Sequence, residues 1–466
     1  MTQSSPSLLD NATRELASFS AGLAFNQIPE NVLGRIKTSI LDSIGCCLFG
    51  MTLPWTQKVQ TMVEEQGSIP VASLFGAGRK VSVPDAVLVN ATAGHAFELD
   101  DIHKESIVHP GSIAVPVAIA LSEKTGKRRG RDLMTAIVAG YEIGTRVGNA
   151  ATMDLFFRGF HPQGTSGVFV AAATAGRMLG LDAHRMQHTL GIAGSQAGGL
   201  MAAQEGAMVK RFHSGRAAQS GVYAALLADK DFTGITDVLE ASYGGYLSSY
   251  SGKPNPGRLT DGLGVVWETE KVGYKPHASV TSIHAALDAL AQLMQAHDLR
   301  PDTIAGIDVG VSHMTHVHCA WEYKAQGVTA AQMNLFYSLA VMAYDGMAFV
   351  EQYRQERLAD PRILALIARM TARVDPRIDA MGPAFRHAAV VTITSTSGEV
   401  FATEILHRRG SPESPLSPSE IEYKFRNIVQ PCLRTEDIDT VIELTRNLDQ
   451  LDDIQPLLDI LSAPRA

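Results

Sequence analysis

Along most of the chain, apolar residues recur at three- and four-residue spacing, the period of a helix with one buried face. Leu33, Ile36, Ile40, Ile44 and Leu48 make one such face. Pro29 lies near its start and Gly50 near its end, both favoured places. The first 50 residues therefore read as two helices, and residues 56–66 as a short third. Residues 70–83 read as an extended piece with a glycine turn, after which Pro84 opens a small-residue helix. The same style continues through 112–123, 130–148, 166–180, 182–198 and 214–229, rich in Ala and Gly with almost no β-branched alternation. The small residues of IVAGYEIGTRVGNAA permit close helix contacts.

The texture changes near residue 269. A clear helix is predicted over 281–299. IAGIDVGVS (304–312) and AAVVTITSTSG (388–398) alternate as strands do, and VFATEIL follows across a Ser-Gly turn. Helices are expected at 328–345 and 347–356. Ser417, Pro418 and Glu420 mark a helix start, and helix returns over 435–462. The expected fold is mainly α. A large all-helical domain (1–268 and 405–466) carries a smaller α+β domain (269–404) inserted before the C-terminal helices.

Composition adjusts this picture in three ways. A chain of 466 residues is too long for one ordinary core, which supports two domains. Its net charge of −8 gives nucleic-acid binding no electrostatic support. The four cysteines (Cys46, Cys47, Cys319, Cys432) form no C-x-x-C pair and read as small core residues in a reducing compartment. No basic-then-apolar leader and no long uninterrupted apolar run is visible, so the expectation is a cytoplasmic protein with no membrane partner.

Only 19% of the residues are charged, yet GHAFELDDIHKESIVHPGSIAV (94–115) packs Glu98, Asp100, Asp101 and Glu105 among His95, His103 and His109. A polar island between buried-looking helices is solvated, paired or in use. On a continuing helix, Glu98 and Asp101 would share a face and raise each other's pKa, as acid–base work requires. His109 is a candidate proton shuttle, with Ser112 as cap of the next helix. The histidine spacing fits no familiar ligand set and H-E-x-x-H is absent, so no metal is expected.

A cationic cradle for carboxylates is read in GAMVKRFHSGRAAQSG, where Lys210, Arg211, His213 and Arg216 crowd ahead of a helix predicted from Ser214. His161 sits in a Gly/Pro turn much like that of His109. Lys275, His277 and His284 fall where the texture changes, and domain junctions favour ligand sites. In HMTHVHCAWEY, His316 and His318 would share a strand face, ahead of Tyr323.

The island, RGFHPQGTSGVFVAAATAGRMLGL, GAMVKRFHSGRAAQSGVYAALLADKDFTG, KPHASVTSIHAALDA and AAQMNLFYSLAVMAYDG together resemble the MmgE/PrpD family, in family order and over nearly the whole chain. The resemblance implies a helical domain with an inserted lid, a homodimer, and no metal or organic cofactor. It implies a small anionic polycarboxylate as substrate. Active-site groups fall on the acids at 98–101 (Glu98, Asp100, Asp101), His109, His161, Lys210, His284 and Tyr323. Arg211, Arg216, Lys275 and His277 are the accompanying candidates for binding. The family includes 2-methylcitrate dehydratase, cis-aconitate decarboxylase and iminodisuccinate epimerase. The expected activity is that of a lyase, a dehydratase first, with epimerase or decarboxylase as alternatives on the same scaffold. A non-catalytic carboxylate-binding protein is the alternative of a different class. Lys275-Pro276-His277-Ala278-Ser279 stands where the dehydratases carry a Lys-Pro-Tyr-Pro-Cys-type segment, which counts against a strict 2-methylcitrate dehydratase.

Overall fold

A computed structural model describes residues 11–465, apart from the side chain of Glu205. The extreme N-terminal stretch considered above for a leader lies outside these residues. The fold is mainly α. Helices Ala12–Gly22 and Glu30–Gly50 form where the apolar spacing predicted them, and the strands Ala72–Leu74 and Arg79–Val81 pair as a small hairpin.

The centre of the helical region is unusually apolar on all sides. Val83–Gly94 is buried at eleven of its twelve residues, so it packs in every direction instead of presenting one face. Small residues make this possible. A Cβ on Gly144, in the Gly130–Phe157 helix, would lie 2.1 Å from Val170 of the Gly167–Leu179 helix. A Cβ on Gly215, in Val209–Ala228, would lie 2.3 Å from the Leu88 carbonyl oxygen. Only hydrogen fits at either place, and the backbones approach accordingly. All four cysteines are free and buried, in keeping with a core role. Among the described residues, no single helix is long and apolar enough to cross a membrane.

The C-terminal helix Pro418–Val429 starts with the Ser417 capping box read from the sequence. It returns to the first helices, where Phe425 and Ile428 cover Gly45. On the same helix Lys424 is buried; it pairs with Asp42 at 2.6 Å and donates to the Leu99 carbonyl oxygen at 2.5 Å.

A four-stranded sheet forms in the region of β-branched alternation. Ile304–Val311 lies between Met370–Val374, its parallel neighbour, and Ala389–Ser395, which is antiparallel and continues as a hairpin into Val400–Ile405. Ala389–Ser395 alternates buried and half-buried positions as its sequence does, and the helix His284–Ala296 packs on it. Two expectations fail here. Residues 313–319 form a helix instead of a strand, because the Ser312 side chain accepts the Thr315 amide and starts a turn. Residues 347–356 form two short 3-10 turns, Glu351–Tyr353 and Gln355–Arg357, because the Tyr337 hydroxyl takes the Gln352 carbonyl at 2.6 Å.

Candidate active site

The acidic island is a turn. The Val83–Gly94 helix stops at Gly94, so Glu98 and Asp101 do not share a helix face, and the three acids point to three different partners. Two non-glycine residues of the island, Glu98 (φ 55°) and Ile107 (φ 54°), take left-handed backbone conformations. Such conformations persist where the surroundings over-determine them, commonly at functional sites.

Asp101 holds the next helix. Its carboxylate accepts from the Gly111 amide (3.0 Å) and the Tyr141 hydroxyl (2.6 Å), capping Gly111–Thr125 at the position assigned from sequence to Ser112. Ser112 instead donates to the His109 carbonyl. Burial pushes Asp101 up to about 8 although both donors oppose this. Asp101 is thus a brace. The expected result for Asp101→Ala is a loss of about 1–3 kcal/mol for each of the two donors left unpaired, read by urea unfolding. Asp101→Asn keeps an acceptor and should lose less than half as much.

Glu98 anchors the cations. Lys210, Arg211 and Lys275 all reach its carboxylate, Lys275 at 3.1 Å. Burial alone would raise the Glu98 pKa, but these three charges hold it well below the usual carboxylate range. The helix carrying Lys210 and Arg211 begins at Val209, not after the basic run, so Ser214 and Gly215 lie inside it and offer no amides to an anion. Lys210 and Arg211 occupy its first turn, where the helix dipole disfavours cations; Glu98 compensates. Burial brings Lys210 down to about 8, with Glu98 opposing and Arg211 adding to the fall. Arg216 points outward and bonds Gln219, away from this group.

Asp100 gathers the histidines. His95 Nδ1 donates to it at 2.7 Å and His109 Nδ1 lies at 3.4 Å. Burial would raise Asp100, but His109 and His95 hold it well below the ordinary range. Gln163 clamps the His109 backbone, accepting its amide (2.8 Å) and donating to its carbonyl (3.1 Å). The His95 ring lies 4.8 Å from that of His109 and 5.8 Å from that of His161. His161 in turn shares a 2.8 Å hydrogen bond with His213. Burial pulls His95 down to about 4 and His161 well below its ordinary value, so both are neutral at pH 7. His95, Asp100 and His109 also offer ligand atoms within 4.8 Å of one another, a donor set a divalent cation can use.

Glu98, His109, His161 and Lys210 line one small cavity of about 80 Å³. Arg211 and Lys275 act on it through Glu98. Four other sequence candidates lie elsewhere. His284 is fully buried, donates to the Ser279 carbonyl and packs edge-on against His277; the neighbouring Val280–Ser282 segment lines the cavity in its place. His277 pairs with Asp288, and the Tyr323 hydroxyl donates to the Leu358 carbonyl. Arg216 is the fourth. A larger, mostly apolar cleft of about 910 Å³ runs past Phe49, Trp55, His277 and Tyr423, but the convergent titratable groups are not in it.

Sequence reasoning missed Arg386, His387, His318 and Lys104, which complete the small cavity's wall. Lys104 and His318 stood in stretches that sequence reading singled out for possible chemistry, the 94–115 island and HMTHVHCAWEY, but neither was itself a candidate. No spacing rule links Arg386 and His387 to residues 98–210.

Comparison with known proteins agrees with the resemblance. Residues 14–258 match the MmgE/PrpD N-terminal domain and residues 277–450 the MmgE/PrpD C-terminal domain. The chain is 31% identical over 472 residues to a cis-aconitate decarboxylase of Aspergillus terreus, covering 97% of this chain and 96% of that protein. It is 30% identical over 485 residues to the cis-aconitate decarboxylase-like protein oryM of Aspergillus oryzae, covering 99% of each. To the cis-aconitate decarboxylase of Homo sapiens it is 27% identical over 472 residues, covering 98% of this chain and 96% of that one.

Proposed function

Because the chain belongs to the MmgE/PrpD family, we propose that this cavity is the active site of a carboxy-lyase acting on a small unsaturated tricarboxylate of the cis-aconitate type. The observation that carries the reading is the convergence of Lys210, His109 and His161 on one small cavity. Relatives named for that activity match the chain nearly end to end, which favours decarboxylation over the hydro-lyase expected first.

Such a substrate loses an allylic carboxylate as carbon dioxide. The broken bond's electron pair forms a new double bond, and the pair of the old double bond takes a proton at its far carbon. The protein has two tasks: to hold the anion and to deliver that proton. Lys210 suits both, since an ammonium with a pKa of about 8 is charged at neutrality and still gives up its proton readily. Preorganised charge in a water-poor site stabilises the transition state far more than it would in water. His109, oriented by Asp100 and Gln163, is the alternative donor.

A space of about 80 Å³ is smaller than ordinary small-molecule sites, which run to about 300–1,000 Å³. In this reading the wall made by Val280–Ser282, Met314, His318, Arg386 and His387 moves away to admit substrate. The 269–404 segment is then the lid.

NMR of cis-aconitate with the enzyme in D₂O tests the assignment. Carbon dioxide release with one deuterium on the product supports it. Water loss from a hydroxy-tricarboxylate, with cis-aconitate untouched, would overturn it in favour of a hydro-lyase. The His95–Asp100–His109 donor set supports a second reading, metal-assisted chemistry. EDTA treatment separates the two: unchanged turnover is expected, whereas loss restored by a divalent cation would assign the metal.

A further inference from the structure

Two cations of the cavity wall, Lys104 and Arg386, are not used by the chemistry above, and Arg386 is the more deeply buried of the two. Arg386 is 8% exposed and lines the wall contributed by the C-terminal half. Its terminal nitrogens donate to the carbonyls of Pro383 and Lys104, and its Nε has no partner. Among the described residues no carboxylate forms an ion pair with it, whereas Lys210, Arg211 and Lys275 share Glu98. His387 beside it is also buried, and its Nδ1 is unpartnered. Lys104 lines the same cavity, its ammonium donating to the Ala384 carbonyl.

A buried guanidinium without a counter-ion is costly unless an anion arrives to neutralise it. A substrate with three carboxylates brings more negative charge than Lys210 alone can meet. We infer that Arg386, assisted by His387, binds a substrate carboxylate that does not react, and so sets the preference for tricarboxylates over dicarboxylates. This rests on the polycarboxylate reading of the same site. Planar guanidinium–carboxylate pairing gives such a contact direction as well as strength. A purely structural Arg386, tying the Lys104 loop to the Pro383 turn, would not affect ligand preference.

The test uses tricarballylate, a saturated tricarboxylate without the double bond whose shift accompanies decarboxylation. Glutarate and methylsuccinate each lack one of its carboxylates. Calorimetry should show the wild-type protein binding tricarballylate. Arg386→Ala should weaken that binding about 10–100-fold, the range for a charged hydrogen bond. At least one dicarboxylate should change less than threefold, and added guanidinium should restore part of the loss. An unchanged ratio of tricarboxylate to dicarboxylate affinity would overturn the inference while leaving the reaction assignment standing. So would wild-type protein that turns over cis-aconitate but does not bind tricarballylate. Selective loss in Arg386→Ala, with no turnover of cis-aconitate by wild type, would keep the inference and remove the reaction. If the alanine variant does not fold, Arg386→Lys gives the same comparison: its ratio should fall, and an unchanged ratio overturns the proposal.

Discussion

Replacing Lys210 by Met should lower kcat/KM for cis-aconitate by about 10²–10⁴-fold, the usual worth of a positioned proton donor. The fold should survive, because Glu98 keeps Arg211 and Lys275 as partners. Activity within tenfold of wild type would remove Lys210 from the mechanism. The pH profile supplies an independent check. Burial lowers the Lys210 pKa to about 8, so the protonated form is complete well below pH 8 and disappears above it. A wild-type kcat/KM that falls as pH rises through about 8 is the expected result. In Lys210→Arg that descending limb should move beyond the accessible range, because a guanidinium does not deprotonate there.

The second large effect is expected far from the reacting atoms. Lys424→Met should destabilise the protein by about 3–5 kcal/mol in urea unfolding, the cost of breaking a buried pair from one side. Asp42 would be left buried without its cation, and the Leu99 carbonyl without its donor. Adding Asp42→Asn should recover more than half of the loss, since removing both charges removes the uncompensated one. Activity should fall even where Lys424→Met remains folded, because Leu99 immediately precedes Asp100 and Asp101. A loss below 1 kcal/mol would show that the pair is not holding the turn.

Local signals carried most of the architecture. The helix periods, the Ser417 cap and the alternation of Ala389–Ser395 each depend on neighbours within a few positions, and each formed as read. The end of the helix at Gly94 was hidden because GHAFEL continues the small apolar texture without a break. The strand Met370–Val374 was missed although exposed Thr371 and Arg373 alternate with Met370, Ala372 and Val374; five residues are a short run to pick out by period alone. At the site, residue types were legible but partnerships were not. Glu98 reads as one acid among four, yet its three cations arrive from positions 210, 211 and 275. Arg386 and His387 follow a Pro-Ala-Phe turn with nothing around them to suggest chemistry; only tertiary packing brings them to His109. His284, chemically promising in the sequence, is fully buried and bonds the Ser279 carbonyl outside the cavity wall, a placement no local pattern signals.

The brace from Lys424 also sets an order of events during synthesis. Leu99 and Lys424 are 325 positions apart. At roughly 5–20 residues per second, the lysine is made about 16–65 s after the turn it secures. Until then Asp42 has no cation to pair with, and the nascent chain must keep that acid hydrated or protonated. Ribosomes that stop short of residue 424 would release a product holding Glu98, His109, His161 and Lys210 yet unable to fix the turn that aligns them. Maturation of the site is therefore a late, whole-chain event.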